Sequence, residues 1–177
     1  MQLEEVYDVI NDQRDKIGTS TWTEVHTRGL LHQVVHGILF SDNSCTKTLL
    51  KKRAKINPQE LGKYEIAVAG HVLSGETPKQ TIKQETREEL FGNKSLPKNI
   101  FIEKITTYLN QDIPNNKEIA HLFKIIHPGP FTIQTSEADE IIWIDWKIFL
   151  RDLKNNPNMY SQYSINAVNI YLKNIYK

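Results

Sequence analysis

An α/β sandwich, a mixed β-sheet held between helices, is the fold class this sequence predicts. Short apolar runs of strand length recur along the chain, and helical patterns interrupt them at 78–91, 147–154 and 163–176. Repeats, low-complexity tracts and a dividing linker are all missing, which predicts one domain over 1–177.

Residues 3–10 alternate acidic and apolar side chains and predict a strand, closed by a turn region over 11–18. A short helical turn is expected at 22–28. The run QVVHGILF at 33–40 and TLLKKRA at 48–54 predict a hairpin. An apolar strand at 64–73 feeds the helix at 78–91. Two further strands, 101–109 and 119–127, flank the polar loop QDIPNN. EIIWIDW at 140–146 predicts the last strand. The closing helix carries apolar residues at 165, 168, 172 and 175, a helical stripe.

Composition narrows the function classes. Lys plus Arg is 22 against 21 acidic residues, a net charge of +1. Such a balance gives no electrostatic case for nucleic acid or an anionic membrane as partner. The single cysteine, Cys45, lies in a polar turn, excludes an internal disulfide and fits a reducing compartment. The acidic N-terminal stretch lacks an apolar signal core, and no apolar run reaches membrane-spanning length. A cytoplasmic protein is expected.

The chemistry concentrates in GHVLSGETPKQTIKQETREELFG, residues 70–92. On a helix, Glu85, Glu88 and Glu89 fall at i, i+3 and i+4, so their carboxylates share one face. Three gathered anions are unfavourable unless a divalent cation neutralises them. Thr77, Pro78 and Gln80 supply an N-cap, a first helical residue and the partner of a capping box. Ile82, Thr86 and Leu90 run along the neighbouring face, expected on the core.

This segment resembles the Nudix box, G-x5-E-x7-R-E-U-x-E-E-x-G-U with U aliphatic. Gly70, Glu76, Glu85, Glu88 and Glu89 match it. Gln84 stands for the box arginine, Thr86 for an aliphatic residue, and Phe91 with Gly92 displaces the terminal glycine by one. The resemblance implies a Nudix fold and a hydrolase that cleaves a nucleoside-diphosphate-linked or other small diphosphate by attack of water on phosphorus. Mg²⁺ or Mn²⁺ held by Glu85, Glu88 and Glu89 would screen the phosphate oxygens. Glu88 is the expected base within the box, with Glu85 beside it. Glu140, ahead of Glu137, is the candidate base outside the box. Glu89→Gln is expected to remove turnover and leave the fold intact. The resemblance also implies a possible homodimer.

Beyond the box, EVHTRGLLHQVVHGILF, LLKKRA and AVAGHV resemble the isopentenyl-diphosphate isomerase-like branch. Those isomerases carry Cys-Gly-His before the box loop; here it reads Ala69-Gly70-His71, and alanine has no proton to give or take. Their late Glu-x-Glu reads Asn116-Lys117-Glu118 here. Both losses point to a hydrolase of this branch lacking the isomerase cysteine. His32, His71 and Glu118 match the isomerases' second metal site, with His26 near a further ligand, and imply a transition metal such as Zn²⁺ or Mn²⁺. His36, His121 and His127 are read as structural. Lys52 and Arg53 match residues that contact the diphosphate, and Gly70 borders the substrate. Trp22, Trp143 and Trp146 leave recognition of the substrate's side group open. The alternatives are a divergent isomerase and a non-catalytic nucleotide-binding module.

Overall fold

The computed structural model describes residues 4–54, 62–133 and 138–175. Nine strands, four helices and one 3-10 turn follow in the order β1 (Val6–Ile10), β2 (Lys16–Thr21), α1 (Trp22–Thr27), β3 (His32–Phe40), β4 (Lys47–Arg53), β5 (Tyr64–Ile66), β6 (Val68–His71), α2 (Pro78–Phe91), β7 (Phe101–Ile113), β8 (Asn116–Ile126), β9 (Ala138–Asp145), α3 (Trp146–Asn155), the turn Pro157–Met159 and α4 (Gln162–Ile175). The predicted α/β sandwich is what forms. Seven strands make one mixed sheet of order β5-β4-β3-β8-β7, with β6 against β3 and β9 against β4.

Helices cover both faces because side chains alternate across the strands. Ile38, Phe40, Leu50, Ile66 and Leu122 pack with α3 and α4 through Trp146, Phe149, Val168 and Tyr171. Val35, Leu39, Leu49, Val68, Phe123 and Ile125 pack with α2 through Ile82, Leu90 and Phe91. Ile82 and Leu90 are fully buried, and each such side chain contributes about 2 kcal/mol of transfer free energy.

The sheet opens where a hairpin was expected. β3 and β4 pair only at Phe40↔Thr48. Beyond that point β3 lies antiparallel to β6, Val34↔His71 through Gly37↔Val68, while β4 turns to β5 and β9. β3 is buried along nearly its whole length, which favours a central place with two partners over one side of a hairpin. Gly37 is needed there: a Cβ would stand 2.8 Å from Ile125 Cδ1 and 3.1 Å from Val68 Cβ. The strand expected over 64–73 breaks at Ala67 to serve both sides of the opening.

Two more differences have local causes. β2 replaces part of the expected turn; four of its six residues are exposed and it presents almost no apolar signal. β7 and β8 run through the expected QDIPNN loop to Ile113↔Asn116, leaving Pro114 and Asn115 as the turn, with Asn115 at φ 59.

α2 occupies 78–91, as its caps predict. The Thr77 side chain accepts from Gln80 N–H, the Gln80 side chain returns to the Thr77 N–H, and Pro78 opens the first turn. Gly92 closes the helix at φ 55, its N–H donating to Arg87 O. Phe91 therefore adds one buried helical residue ahead of the glycine, which accounts for the displaced box glycine. Thr77→Ala is expected to cost about 1 kcal/mol in a urea melt, since it removes the side-chain half of the cap.

Candidate active site

β3, β6 and β8 set the centre of the site. β3 runs parallel to β8 with His32 opposite Glu118, and β6 places His71 opposite Val34 and Ala69 opposite His36. Alternation then puts His32, His36, Ala69, His71 and Glu118 on one face of the sheet. α1, capped at Thr21, delivers His26 from a separate segment.

Four groups converge there: one ligand atom from each of His26, His32, His71 and Glu118, all within 4.8 Å of one another. His26 Nδ1 lies 2.8 Å from Trp22 O and His32 Nδ1 lies 2.9 Å from Leu30 O. A carbonyl only accepts, so both Nδ1 atoms carry the proton and both Nε2 atoms present a lone pair. His26 Nε2 faces His71 Nε2 at 3.3 Å. His32 Nε2 is buried without a hydrogen-bond partner among the described residues, an arrangement a bound cation would satisfy. Burial, opposed by the Leu30 carbonyl and reinforced by His26, holds the His32 imidazole neutral, with its pKa lowered to about 4. Burial first, then the neighbouring His32 and His26, lowers that of His71 to about 3. Neutral imidazoles are the ligating form.

Glu118 is held from both sides. Asn110 Nδ2 donates to Oε2 at 2.5 Å and Asn116 Nδ2 to Oε1 at 2.7 Å. Asn166 of α4 in turn donates to Asn110 Oδ1 at 2.7 Å. Asn116 thus braces Glu118 instead of adding a second carboxylate. Tyr7, buried on β1, covers the cluster with its ring centroid 5.3 Å from that of His71.

The box carboxylates approach the same strand from α2. Gly70 makes this possible: a Cβ there would fall 2.2 Å from Glu85 Oε1, so the carboxylate of Glu85 lies directly over the strand backbone beside His71. Its charge reaches the Tyr7 phenol, whose pKa is raised by burial, then by Glu5, then by Glu85. Glu88 is half-buried and receives Arg87 Nη2 at 3.2 Å. Glu76 Oε2 accepts from the buried Thr81 hydroxyl at 2.9 Å, fastening the loop to the helix. Thr86, in place of an aliphatic residue, buries its hydroxyl at 2.6 Å from Ile82 O.

Glu89 differs from its two neighbours. It is 6% exposed and ion-paired with Lys51, itself 4% exposed. Its other oxygen accepts Ala69 N–H at 3.1 Å.

Of the remaining candidates, Lys52 and Glu140 stand apart from the box, while Arg53 lies beside Lys51 through Glu65, the register partner of that lysine. Lys52 Nζ lies 5.6 Å from the centre of the Tyr64 ring, and Arg53 pairs with the buried Glu65 at 2.7 Å. Glu140 is exposed and is the register partner of Lys52. Alternation puts Lys52 and Glu140 on the Leu50 face, while Lys51 and Leu49 share the face that α2 covers. The structure therefore does not bring Glu140 to the box helix. Glu137 lies outside the described residues. Trp146 is buried in the core, Trp143 is exposed, and Trp22 stacks on His26 at 4.4 Å between ring centroids. His36 is bonded through Nδ1 to Tyr108 Oη at 2.7 Å, and His121 through Nε2 to Gln33 Oε1 at 2.8 Å.

Sequence reasoning passed over Lys51 and gave His26 a marginal place. Nothing local signals the first, because Leu49 and Leu50 are both core residues and alternation favours neither lysine. Nothing local signals the second, since α1 joins the cluster only through tertiary packing.

The architecture is that of known proteins. The crystal structure of DR0079 from Deinococcus radiodurans superposes with a TM-score of 0.77 at 16% identity, covering 94% of this chain and 99% of that one. The two chains thus share a fold. The NUDIX domain model matches residues 30–163, and the chain belongs to the Nudix hydrolase family. Nudix hydrolase 3 of Arabidopsis thaliana is 30% identical over 175 residues, which is 93% of this chain and only 22% of that protein. Isopentenyl-diphosphate Delta-isomerase 2 of Aromatoleum aromaticum is 23% identical over 159 residues, covering 90% of this chain and 82% of the relative. The isomerase-like branch read from the sequence is thus represented among its relatives.

Proposed function

We propose that this protein is a divalent-metal-dependent pyrophosphohydrolase that cleaves a nucleoside-diphosphate-linked or other small diphosphate by attack of water on phosphorus. The observation that carries the reading is the pair Glu85 and Glu88 on α2, with Gly70 leaving room for the Glu85 carboxylate over the strand. These two carboxylates suit Mg²⁺ or Mn²⁺ at the box, and His26, His32, His71 and Glu118 suit Zn²⁺ or Mn²⁺ beside it. Bound there, divalent ions screen phosphate charge and favour loss of a proton from the attacking water. Glu88, half-buried at the helix surface, accepts that proton. Glu85 and His71 border the diphosphate from opposite sides of Gly70, and Asn110 and Asn116 keep Glu118 oriented.

Isomerase chemistry is disfavoured at this site. Ala69 offers no group for proton transfer to carbon, and Asn116 spends its amide on Glu118. A cytosolic location accompanies the reading and rests on the single cysteine, Cys45.

The test is an assay of the purified protein with Mg²⁺ or Mn²⁺ against nucleoside-diphosphate derivatives and isopentenyl diphosphate, run in ¹⁸O-water. Label in the released phosphate or monophosphate is the expected result. Isomerised product would favour the divergent isomerase, and tight binding without cleavage the nucleotide-binding module.

The histidine cluster carries its own expectation. Zn²⁺ titrated by calorimetry should bind once per chain at that cluster, and His32→Ala should weaken it by at least about tenfold. Unchanged affinity would remove the metal from the cluster.

A further inference from the structure

We infer that the ammonium of Lys51 stands in for a divalent ion at the box, so that Glu89 is not a metal ligand and the helix holds its metal through Glu85 and Glu88 alone. The inference rests on the reading of the box as a divalent-cation site and states how many charges the chain itself supplies there.

Three observations lead to it. Lys51 lies on β4 and pairs with Glu89 across the opening between β4 and β6. Both side chains are enclosed, at 4% and 6% exposure, so the ammonium is largely removed from water and is balanced by buried carboxylates, with Glu89 in direct contact and Glu65 as its register partner. The second Glu89 oxygen is bonded to Ala69 N–H on the unpaired side of β6. Both carboxylate oxygens therefore have protein partners, one of them already a full positive charge. Glu85 and Glu88 are more accessible, and Glu85 projects over Gly70.

A fixed cation changes the balance at the site. Three glutamates gathered on one helix face call for two or more positive charges. Here one is covalently part of the chain, and the ion drawn to the box meets two carboxylates and a nearby ammonium. A divalent ion and Lys51 compete for Glu89, and the enclosed lysine keeps it. The box should consequently bind fewer divalent ions than three free carboxylates would.

Calorimetric titration with Mg²⁺ alone tests this, because Mg²⁺ discriminates against the imidazole cluster. Lys51→Met removes the ammonium and should raise Mg²⁺ affinity by about tenfold or more; an unchanged or lower affinity overturns the inference. Lys51→Met with Glu89→Leu removes both charges and keeps the site foldable if the single variant is not. That pair should bind Mg²⁺ within about threefold of the unmodified protein. A loss as large as that of Glu85→Gln would make Glu89 a ligand and overturn the role of Lys51 while leaving the box intact. If Glu85→Gln itself leaves Mg²⁺ binding unchanged, the box is not the metal site, and this inference fails together with that reading.

Discussion

Glu85→Gln is expected to lower metal-supported diphosphate hydrolysis by at least about a hundredfold with little change in thermal stability. The carboxylate lies over Gly70, where even a methyl group would collide with it at 2.2 Å. Glutamine keeps the shape and loses the charge that draws the ion. Steady-state rates with Mg²⁺, together with a thermal melt of the same sample, check this. A variant hydrolysing at the unmodified rate would place the chemistry elsewhere. Gly70→Ala approaches the same endpoint by another route, since its Cβ displaces the carboxylate while leaving its charge.

Glu89→Gln should behave differently from the expectation drawn from residue type. That expectation took Glu89 as a ligand whose loss spares the fold. Glu89 is the counter-ion of an enclosed lysine and the acceptor for Ala69 N–H. Removing one member of a buried pair strands the other charge, at a cost of about 3–5 kcal/mol. For a chain of this size the melting temperature should fall by roughly 10 °C. Neutralising both partners should recover most of that loss, because an apolar pair leaves no charge unsolvated. A melt of Glu89→Gln within about 2 °C of the unmodified protein would show that the pair contributes little.

Such differences separate what is local from what is not. The α2 boundaries follow from Thr77, Pro78, Gln80 and Gly92, whose capping contacts reach no further than a few residues. β3 was readable over nearly its full span because its buried run needs no partner to be recognised. β2 was not, since a polar, exposed strand carries its information in the backbone pairing with β1.

The sequence by itself determined the α/β class, the acidic helix with its caps and the apolar strand that leads into it. Each follows from residue type and spacing within one segment. Tertiary structure alone decided that β3 and β4 pair only at Phe40 and Thr48, and that Lys51 pairs with Glu89 of the box. It also decided that α1 swings His26 to within 3.3 Å of His71. The physical reason is the same in each case. Which face a strand shows, and which strand lies beside it, depends on burying apolar area against segments far away in sequence, and short-range propensity does not encode that choice.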